Sequence, residues 1–261
     1  MYTLQNIIDY KKNEVSKEKL KLSTFEINNM IMDKRNKYVP RGFLNALLCN
    51  KSKFGIISEL KKASPSKGLI RKDFNPIEIA KEYKKCGATC LSVLTDLKFF
   101  QGKNAYINDV KKVTNLPVLR KDFIIDSWQI KQSYLLKADC ILLILSCLSF
   151  NQAREFESEA MDLGLDVLIE THTIEEIELA NRFKSKMIGI NNRNLKNMKV
   201  DIKTSLNLIK YLDDHKIAIS ESGINNKKDI DFLHAHGFKN FLIGEAFMKE
   251  KNIYNFFNSI V

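Results

Sequence analysis

The chain has 261 residues, of which 44% are hydrophobic and 28% charged, and it carries a formal net charge of +11 at pH 7. Its longest apolar run, "CILLIL" at residues 140–145, is too short to span a bilayer, and the N-terminal stretch lacks the apolar region and cleavage site of a secretory signal. We therefore expect a cytoplasmic protein with no membrane segment. The lysines are scattered among asparagines, which favours a solvated surface over a nucleic-acid-binding stripe and remains compatible with an anionic small-molecule substrate.

The first fifty residues contain two lysine-rich helical patterns, at residues 4–22 and 25–34. They predict one or two extra helices packed across the side or mouth of the domain that follows. Beyond them, short β-branched apolar runs alternate with helical patterns. The eight predicted strands cover residues 55–61, 89–95, 117–123, 139–145, 166–171, 187–192, 216–222 and 240–245. The helical patterns between them include residues 75–87, 126–138, 151–164, 173–183 and 226–237.

An uninterrupted series of eight strands and intervening helices predicts a parallel sheet that closes into an α/β (β/α)₈ TIM barrel. We expect one domain over residues 1–261, with an N-terminal helical extension at 1–50 and the barrel at 51–261. The alternative is an open doubly wound sheet. That fold would more often carry G-x-G-x-x-G after its first strand, and "ELKKASPSKG" does not match it.

The cysteines and histidines give no sign of a metal site or a disulfide framework. His234 and His236 form the only close histidine pair, on a predicted helix, and a solvated helix end explains them better than metal binding. We expect the five cysteines, which lack a C-x-x-C pair, to be reduced core residues. They are Cys49, Cys86, Cys90, Cys140 and Cys147.

Polar side chains stand at the C-terminal ends of five predicted strands. Because residues i and i+2 of a strand share a face, Glu59 and Lys61 point the same way. A single charged strand end is more often an ordinary solvated group. Five such ends with mixed charges converge on one barrel mouth, where they predict an active site with a general acid and a general base. The polar residues are Glu59, Lys61, Lys121, Glu170, Asn191, Arg193 and Glu221, and Phe123 shares the face of Lys121.

Glycine turns follow the last two predicted strands. Ser222-Gly223 precedes a predicted helix, and Gly244 precedes a short helical turn. Backbone N–H groups at such turns bind phosphate, and the loops after strands seven and eight are the usual phosphate site of a barrel. Two ordinary tight turns are the alternative. The eight-strand count favours the phosphate site.

The ordered motifs "IISELKKASPSKG", "PVLRKDFIID", "VLIETHT", "IGINNRNL", "ISESGI" and "FLIGEAFM" resemble those of the indole-3-glycerol phosphate synthase family. The resemblance runs from about Phe43 to Met248, and the first motif and "LRKDFI" are highly specific. It implies a carboxy-lyase of tryptophan biosynthesis. Its reaction is ring closure, decarboxylation and dehydration of 1-(2-carboxyphenylamino)-1-deoxyribulose 5-phosphate to indole-3-glycerol phosphate. The resemblance also implies no cofactor, no metal and a monomer without an obligate protein partner.

The resemblance implies Lys121 as the acid of ring closure, and Lys61 as the group that holds the substrate carboxylate and as a second acid. Glu59 and Glu170 would act as bases or cation stabilisers, and which does which stays open. The catalytic set is Glu59, Lys61, Lys121, Glu170, Asn191 and Glu221. Phe123, Pro65 and Leu242 would wall the anthranilate ring, and Arg193 would position the substrate. Phosphate would bind at Ser64 and at the backbone of Ser222, Gly223, Gly244 and Glu245. Residues 62–73 would form a lid.

Three positions depart from the family pattern, and none is a proposed catalytic residue. They are Lys103-Asn104 after "LTDLKFFQG", Asn194 in "NNRNL", and Trp128. Three other functions were weighed. A sugar-phosphate isomerase would not require both Glu59-x-Lys61 and Lys121-x-Phe123. A nucleic-acid-binding protein would need a basic stripe. A catalytically dead scaffold would have no reason to keep desolvated polar groups in its mouth.

Overall fold

The computed structural model describes residues 3–33, 37–195 and 197–261. Eight parallel strands form a closed barrel in the order β1-β10-β9-β8-β7-β6-β5-β4, which confirms the (β/α)₈ prediction. They are β1 (Gly55–Leu60), β4 (Cys90–Leu94), β5 (Val118–Lys121), β6 (Cys140–Ile144), β7 (Asp166–Thr171), β8 (Met187–Asn191), β9 (Ile217–Glu221) and β10 (Asn240–Ile243). Each starts and ends within two residues of its predicted bounds.

Two further strands, β2 (Ala63–Ser64) and β3 (Gly68–Leu69), pair antiparallel in the predicted lid. The sequence pattern alone predicts an irregular loop there. Gly68 has a φ of +64°, in the left-handed region that favours glycine, and this allows the chain to reverse between the two strands. The lid is therefore a short hairpin above the mouth.

The described residues contain thirteen α-helices, most of which cover the outside of the barrel. They are α1 (Leu4–Lys21), α2 (Thr24–Met32), α3 (Phe43–Leu48), α4 (Pro76–Cys86), α5 (Leu97–Phe100), α6 (Ala105–Val113), α7 (Ser127–Leu135), α8 (Phe150–Asp162), α9 (Ile174–Ala180), α10 (Lys203–Leu208), α11 (Lys227–Ala235), α12 (Glu245–Lys249) and α13 (Ile253–Ile260). Asn75 accepts N–H groups of the first turn of α4, and Gly87 ends that helix with φ +88°.

The N-terminal extension has three helices, so the expectation of one or two is wrong. Helix α3 has only six residues, so it carries little sequence periodicity. Its Phe43 and Leu47 pack on the inward residues Ile57, Cys90 and Leu119, and the helix closes the N-terminal end of the barrel. Helix α1 borders the mouth, and α2 packs against α7. The last residue of the second predicted pattern, Lys34, lies outside the described residues.

The core has two layers, as expected for a filled barrel. The larger lies between the strands and the surrounding helices, and the smaller fills the barrel interior. Leu142, Leu168 and Leu242 belong to the interior layer and leave room above them only at the C-terminal mouth. The packed interior therefore forms the floor of a cavity.

Candidate active site

All fifteen predicted site residues line one cavity of about 570 Å³ at the C-terminal mouth of the barrel. Side chains from the C-terminal ends of six of the eight strands, and from the loops that follow them, thus lie together in one cavity. The fifteen residues are Glu59, Lys61, Ser64, Pro65, Lys121, Phe123, Glu170, Asn191, Arg193, Glu221, Ser222, Gly223, Leu242, Gly244 and Glu245.

The alternating polar residues at the end of β1, Glu59 and Lys61, contact each other. Glu59 is buried, and its carboxylate accepts a hydrogen bond from Lys61 Nζ at 2.6 Å. Ser92 Oγ lies 3.4 Å from the other oxygen of Glu59. On the neighbouring strand, a Cβ at Gly244 would overlap the Glu59 carboxylate, so only glycine leaves space for it there.

Lys121 is the centre of the charged cluster. Its Nζ lies 2.9 Å from Glu170 Oε2 and 3.5 Å from Glu221 Oε2. Burial alone would disfavour the ammonium, but the carboxylates of Glu170, Glu221 and Glu59 outweigh it and raise the pKa of Lys121 above its usual range. The side chain is therefore a charged donor at neutral pH.

The pKa values of the two glutamates beside Lys121 are shifted in opposite directions. Burial would raise the pKa of Glu170, but Lys121, His172 and the Asn191 amide hold it well below its usual range. Asn191 Nδ2 donates to Glu170 Oε1 at 3.1 Å. Burial, reinforced by the nearby Glu170 and Glu59 charges, raises the pKa of Glu221 to about 8. One carboxyl group of the pair is thus ionised and the other holds a proton.

The loops after β8, β9 and β10 form another part of the cavity lining. Ser222 and Gly223 both have positive φ, +66° and +80°, and this backbone turn faces the cavity. Arg193 lies 3.9 Å from Glu245, and Lys249 Nζ lies 2.5 Å from the same carboxylate. Backbone N–H groups and two cations near one turn suit an anionic group.

Apolar side chains form one wall of the cavity. Phe123 and Leu242 occupy their predicted places. Sequence reasoning missed Phe100, Leu142 and Ile144, which complete the wall; the ring centroids of Phe100 and Phe123 are 6.3 Å apart. The period-two alternation of "LLI" on β6 could have identified the last two as inward-facing.

Helix α1 and the lid also reach the cavity, as expected for N-terminal helices at the mouth and for a lid at residues 62–73. Leu4 and Ile7 of α1 line it, as does Lys67 of the lid. The base of the lid is tied to the end of α12 by Arg71, whose Nη1 donates to the carbonyl of Glu250 at 2.8 Å. The mouth is thus bordered by elements from both ends of the chain.

The cysteine and histidine predictions have mixed outcomes. All five cysteines are free, as expected, but Cys49 is exposed and is not a core residue. His234 and His236 each donate from Nδ1 to a backbone carbonyl, that of Phe238 and that of Phe232. Over the described residues, no group of three or more His, Cys, Asp or Glu side chains is placed to hold a metal ion. In the same ranges, no helix has the length and apolar character needed to cross a membrane.

Sequence comparison gives a match over almost the whole chain. The model of the family described as indole-3-glycerol phosphate synthase matches residues 4–260. A curated relative of that name from Legionella pneumophila (strain Paris) is 52% identical over 223 residues, covering 85% of this chain and 86% of the relative. Another, from Polynucleobacter asymbioticus, is 44% identical over 254 residues and covers 94% of each chain.

Solved structures with low sequence identity share the fold. A 3-hexulose-6-phosphate synthase from Salmonella typhimurium superposes with a TM-score of 0.64 at 11% identity, covering 79% of this chain and 96% of that one. An N-acetylmannosamine-6-phosphate 2-epimerase from Clostridium perfringens gives a TM-score of 0.59 at 16% identity, with 79% and 93% coverage. At these identities the likeness shows the barrel alone.

Proposed function

The chain belongs to the indole-3-glycerol phosphate synthase family, and we propose that the cavity at its barrel mouth is the active site for the family's reaction. The activity is ring closure, decarboxylation and dehydration of 1-(2-carboxyphenylamino)-1-deoxyribulose 5-phosphate to indole-3-glycerol phosphate, a step of tryptophan biosynthesis. The proposal places the enzyme among the carboxy-lyases. It also includes a monomer that acts in the cytoplasm without a cofactor.

The observation that carries the proposed site is the position of Lys121. Its ammonium stands between Glu170 and Glu221 in the charged cluster that lines the cavity. Ring closure joins the ring carbon that bears the carboxylate to the ribulose ketone carbon, and negative charge develops on the ketone oxygen. A charged donor in a low-dielectric site stabilises that oxygen and gives it a proton, because an alkoxide is a stronger base than an amine.

The next two steps follow from the same set of groups. Loss of carbon dioxide leaves its bonding electrons on the ring and restores aromaticity without a proton transfer. The hydroxyl then leaves as water, which requires a second acid, and a proton passes to a base. We assign Lys61 as that acid and Glu59 or Glu170 as the base; Lys61 contacts Glu59, and Lys121 contacts Glu170. Lys61 also holds the substrate carboxylate before it leaves.

We assign the substrate phosphate to the lid and to the loops after β9 and β10. Ser64 of the lid and the backbone at Ser222, Gly223, Gly244 and Glu245 would hold it, with Arg193, Lys67 and Lys249 supplying positive charge. A ligand anchored there directs its ring toward Phe123 and its ketone toward Lys121. Closure of the lid hairpin would exclude water from the developing charges.

One assay tests the activity and the acid together. Formation of indole-3-glycerol phosphate from the carboxyphenylamino-deoxyribulose phosphate is followed by fluorescence, without added metal, for the wild type and Lys121→Met. We expect the wild type to turn over and the variant to lose at least ~10³-fold in kcat, the scale of an acid and its electrostatic contribution combined. Lys112→Met, on an exposed helix face, serves as the control.

Two outcomes would contradict the proposal. A folded wild type with no product would refute the activity. A Lys121→Met enzyme with near-normal turnover would move the acid elsewhere in the cavity.

A further inference from the structure

His172 stands next to Glu170 but does not line the cavity. It follows β7 directly, two residues after Glu170, and its side chain is 8% exposed. Its Nε2 lies 3.4 Å from Glu170 Oε1. Its Nδ1 lies 3.3 Å from Glu176 Oε2 and 3.1 Å from Ser146 Oγ. The imidazole thus bridges a carboxylate in the active site and a carboxylate outside it.

The outer partners of His172 are held in place. Glu176, on α9, accepts the His172 backbone N–H at 2.6 Å through one oxygen and the Ser146 hydroxyl at 2.8 Å through the other. Ser146 lies in the segment between β6 and α8. The bridge therefore joins the segment after β6, the end of β7 and α9 at one point.

The arrangement around the ring favours a charged imidazole. A neutral histidine has one N–H donor and one acceptor, whereas here a carboxylate oxygen faces each ring nitrogen. The groups around it are Glu170 from β7, Glu176 from α9, and Ser146 and Cys147 from the segment after β6. Burial, then the charges of Glu170 and Glu176, raise the pKa of the Cys147 thiol, so it stays neutral. Burial disfavours the imidazolium, but the two glutamates outweigh it and raise the pKa of His172 to about 9.

A purely structural histidine would look different. His234 and His236 each use a ring nitrogen on a backbone carbonyl, at 3.1 and 2.8 Å. Nε2 of His172 is buried and makes no well-aligned hydrogen bond with any residue that the structure describes. The atom it approaches is an oxygen of Glu170, whose other oxygen contacts Lys121.

We propose that His172 is a positioning residue for the reaction: anchored by Glu176 and Ser146, it keeps Glu170 ionised and holds its carboxylate against Lys121. This rests on the proposed function, since Glu170 acts there as base or cation stabiliser. The positive charge of His172 also favours the ionised form of Glu170. The single proton of this pair of carboxyl groups therefore stays on Glu221.

The test combines kinetics with a titration that does not depend on turnover. His172→Gln keeps a polar side chain and removes the charge. We expect kcat to fall about tenfold with KM within about twofold, the pattern of a lost transition-state interaction. The acid limb of the kcat profile should move to higher pH, because Glu170 loses a neighbouring cation. The wild type should lose activity above about pH 9 as the imidazole deprotonates, and the variant should lack that component.

The second arm is an NMR titration of wild-type enzyme labelled with ¹³C-histidine, whose four histidine signals are assigned with the His172→Gln variant. His172 should titrate well above 6.5, and Glu176→Gln should lower its midpoint. His215→Gln and Glu175→Gln, both exposed, are the matched controls and should leave kinetics and titration unchanged.

Different results would contradict the proposed function and the positioning role of His172. An inactive wild type overturns the proposed function, while the titration still decides whether His172 is paired with Glu170. An active wild type overturns the positioning role if His172→Gln has an unchanged pH profile, or if it alters only thermal stability. A His172 signal that titrates below 6.5 overturns it as well.

Discussion

Three chemically identical carboxyl groups occupy one cavity and are made different by their neighbours. Glu59 is paired with Lys61, Glu170 with Lys121 and Asn191, while Glu221 receives the weakest share of positive charge. Two adjacent buried carboxylates cannot both ionise freely, so the one with fewer cationic partners keeps its proton. Division of acid and base roles follows from these contacts and not from residue type.

This difference predicts unequal effects of removing the two charges. At pH 7, Glu170→Gln deletes a carboxylate that is ionised, and kcat should fall at least ~10²-fold, the usual scale for a general base. Glu221→Gln replaces a group that is mostly neutral at that pH, so its kcat should stay within about tenfold of wild type. The measurement is kcat from pH 6 to 9, and Glu221→Gln should flatten any change centred near pH 8. Equal losses in both variants would show that the two acidities are not separated.

A second prediction concerns the space beside Glu59. Gly244→Val places a branched side chain where the Glu59 carboxylate lies, 3.0 Å from the Glu59 Cβ, next to the proposed phosphate loop. We expect KM to rise at least tenfold and kcat to fall, since both the phosphate loop and the Glu59–Lys61 pair must shift. Gly164→Ala, at φ +77° far from the cavity, is the control for a purely conformational cost of about 1 kcal/mol. Unchanged KM in Gly244→Val would exclude this loop as the phosphate site.

Among the secondary-structure elements, α1 is tied to the barrel by buried charge. Lys11 Nζ lies 2.8 Å from Asp96 and 2.9 Å from Asp122, and all three side chains are almost fully buried. Asp122 also accepts from Arg120 at 3.2 Å and stands between Lys121 and Phe123 in the chain. The helix that borders the mouth is thus linked to the strand end that carries the proposed acid.

Removing the charge of Lys11 should lower the free energy of unfolding. Lys11→Met leaves two buried carboxylates with one fewer cation, and loss of one partner of a buried pair costs roughly 3–5 kcal/mol of unfolding free energy. Lys12→Met, whose side chain is 63% exposed, is the matched control and should change stability by less than about 0.5 kcal/mol. Urea unfolding of the three proteins at pH 7 measures the difference. A Lys11→Met protein as stable as the control would show that the buried pairs add no net stability.

The same pair predicts an acid dependence. Burial would raise the pKa of Asp122, but Lys11 and Arg120 lower it from 3.8 to about 2. A carboxyl group with a depressed pKa in the folded state contributes stability above its unfolded pKa and loses it as pH falls through its folded pKa. The stability gap between wild type and Lys11→Met should therefore narrow between about pH 4 and pH 2. A gap that is constant over that range would assign the cost to packing alone.

The elements differ in how well the sequence predicts them. Barrel strands are buried on both faces, so each appears as a short apolar run, and the polar residues that interrupt its end mark the mouth. Lys11 has the spacing of a solvated helix face, and only its contacts with the distant Asp96 and Asp122 bury it. His172 likewise becomes informative only when Glu176 and Ser146 are seen beside it. Local pattern predicts strand ends, whereas pairing between distant charges requires the fold.

For the whole molecule, positive charge is spread widely and the cavity is nearly balanced. Its lining carries the cations Lys61, Lys67, Lys121, Arg193, Lys199 and Lys249 and the anions Glu59, Glu170, Glu245 and Asp122, while Glu221 is mostly protonated at pH 7. Most of the net +11 therefore lies on the rest of the surface. That residues 1–50 and 51–261 form one folding unit stays a prediction.

This distribution predicts a salt dependence of substrate capture. The proposed substrate bears a phosphate and a carboxylate, and a strongly positive protein attracts it over the Debye length, about 10 Å at 0.1 M salt and shorter above that. Raising sodium chloride from 20 to 300 mM should lower kcat/KM severalfold and leave kcat unchanged, because the ion pairs inside the closed cavity are screened much less. Potassium acetate at matched ionic strength should act equally, since screening does not depend on the ion, whereas inorganic phosphate should inhibit further by competing for the loop. A kcat/KM that is insensitive to salt would show that the surface charge plays no part in capture. Tight, steeply salt-dependent binding of duplex DNA would instead reopen a nucleic-acid role for that charge.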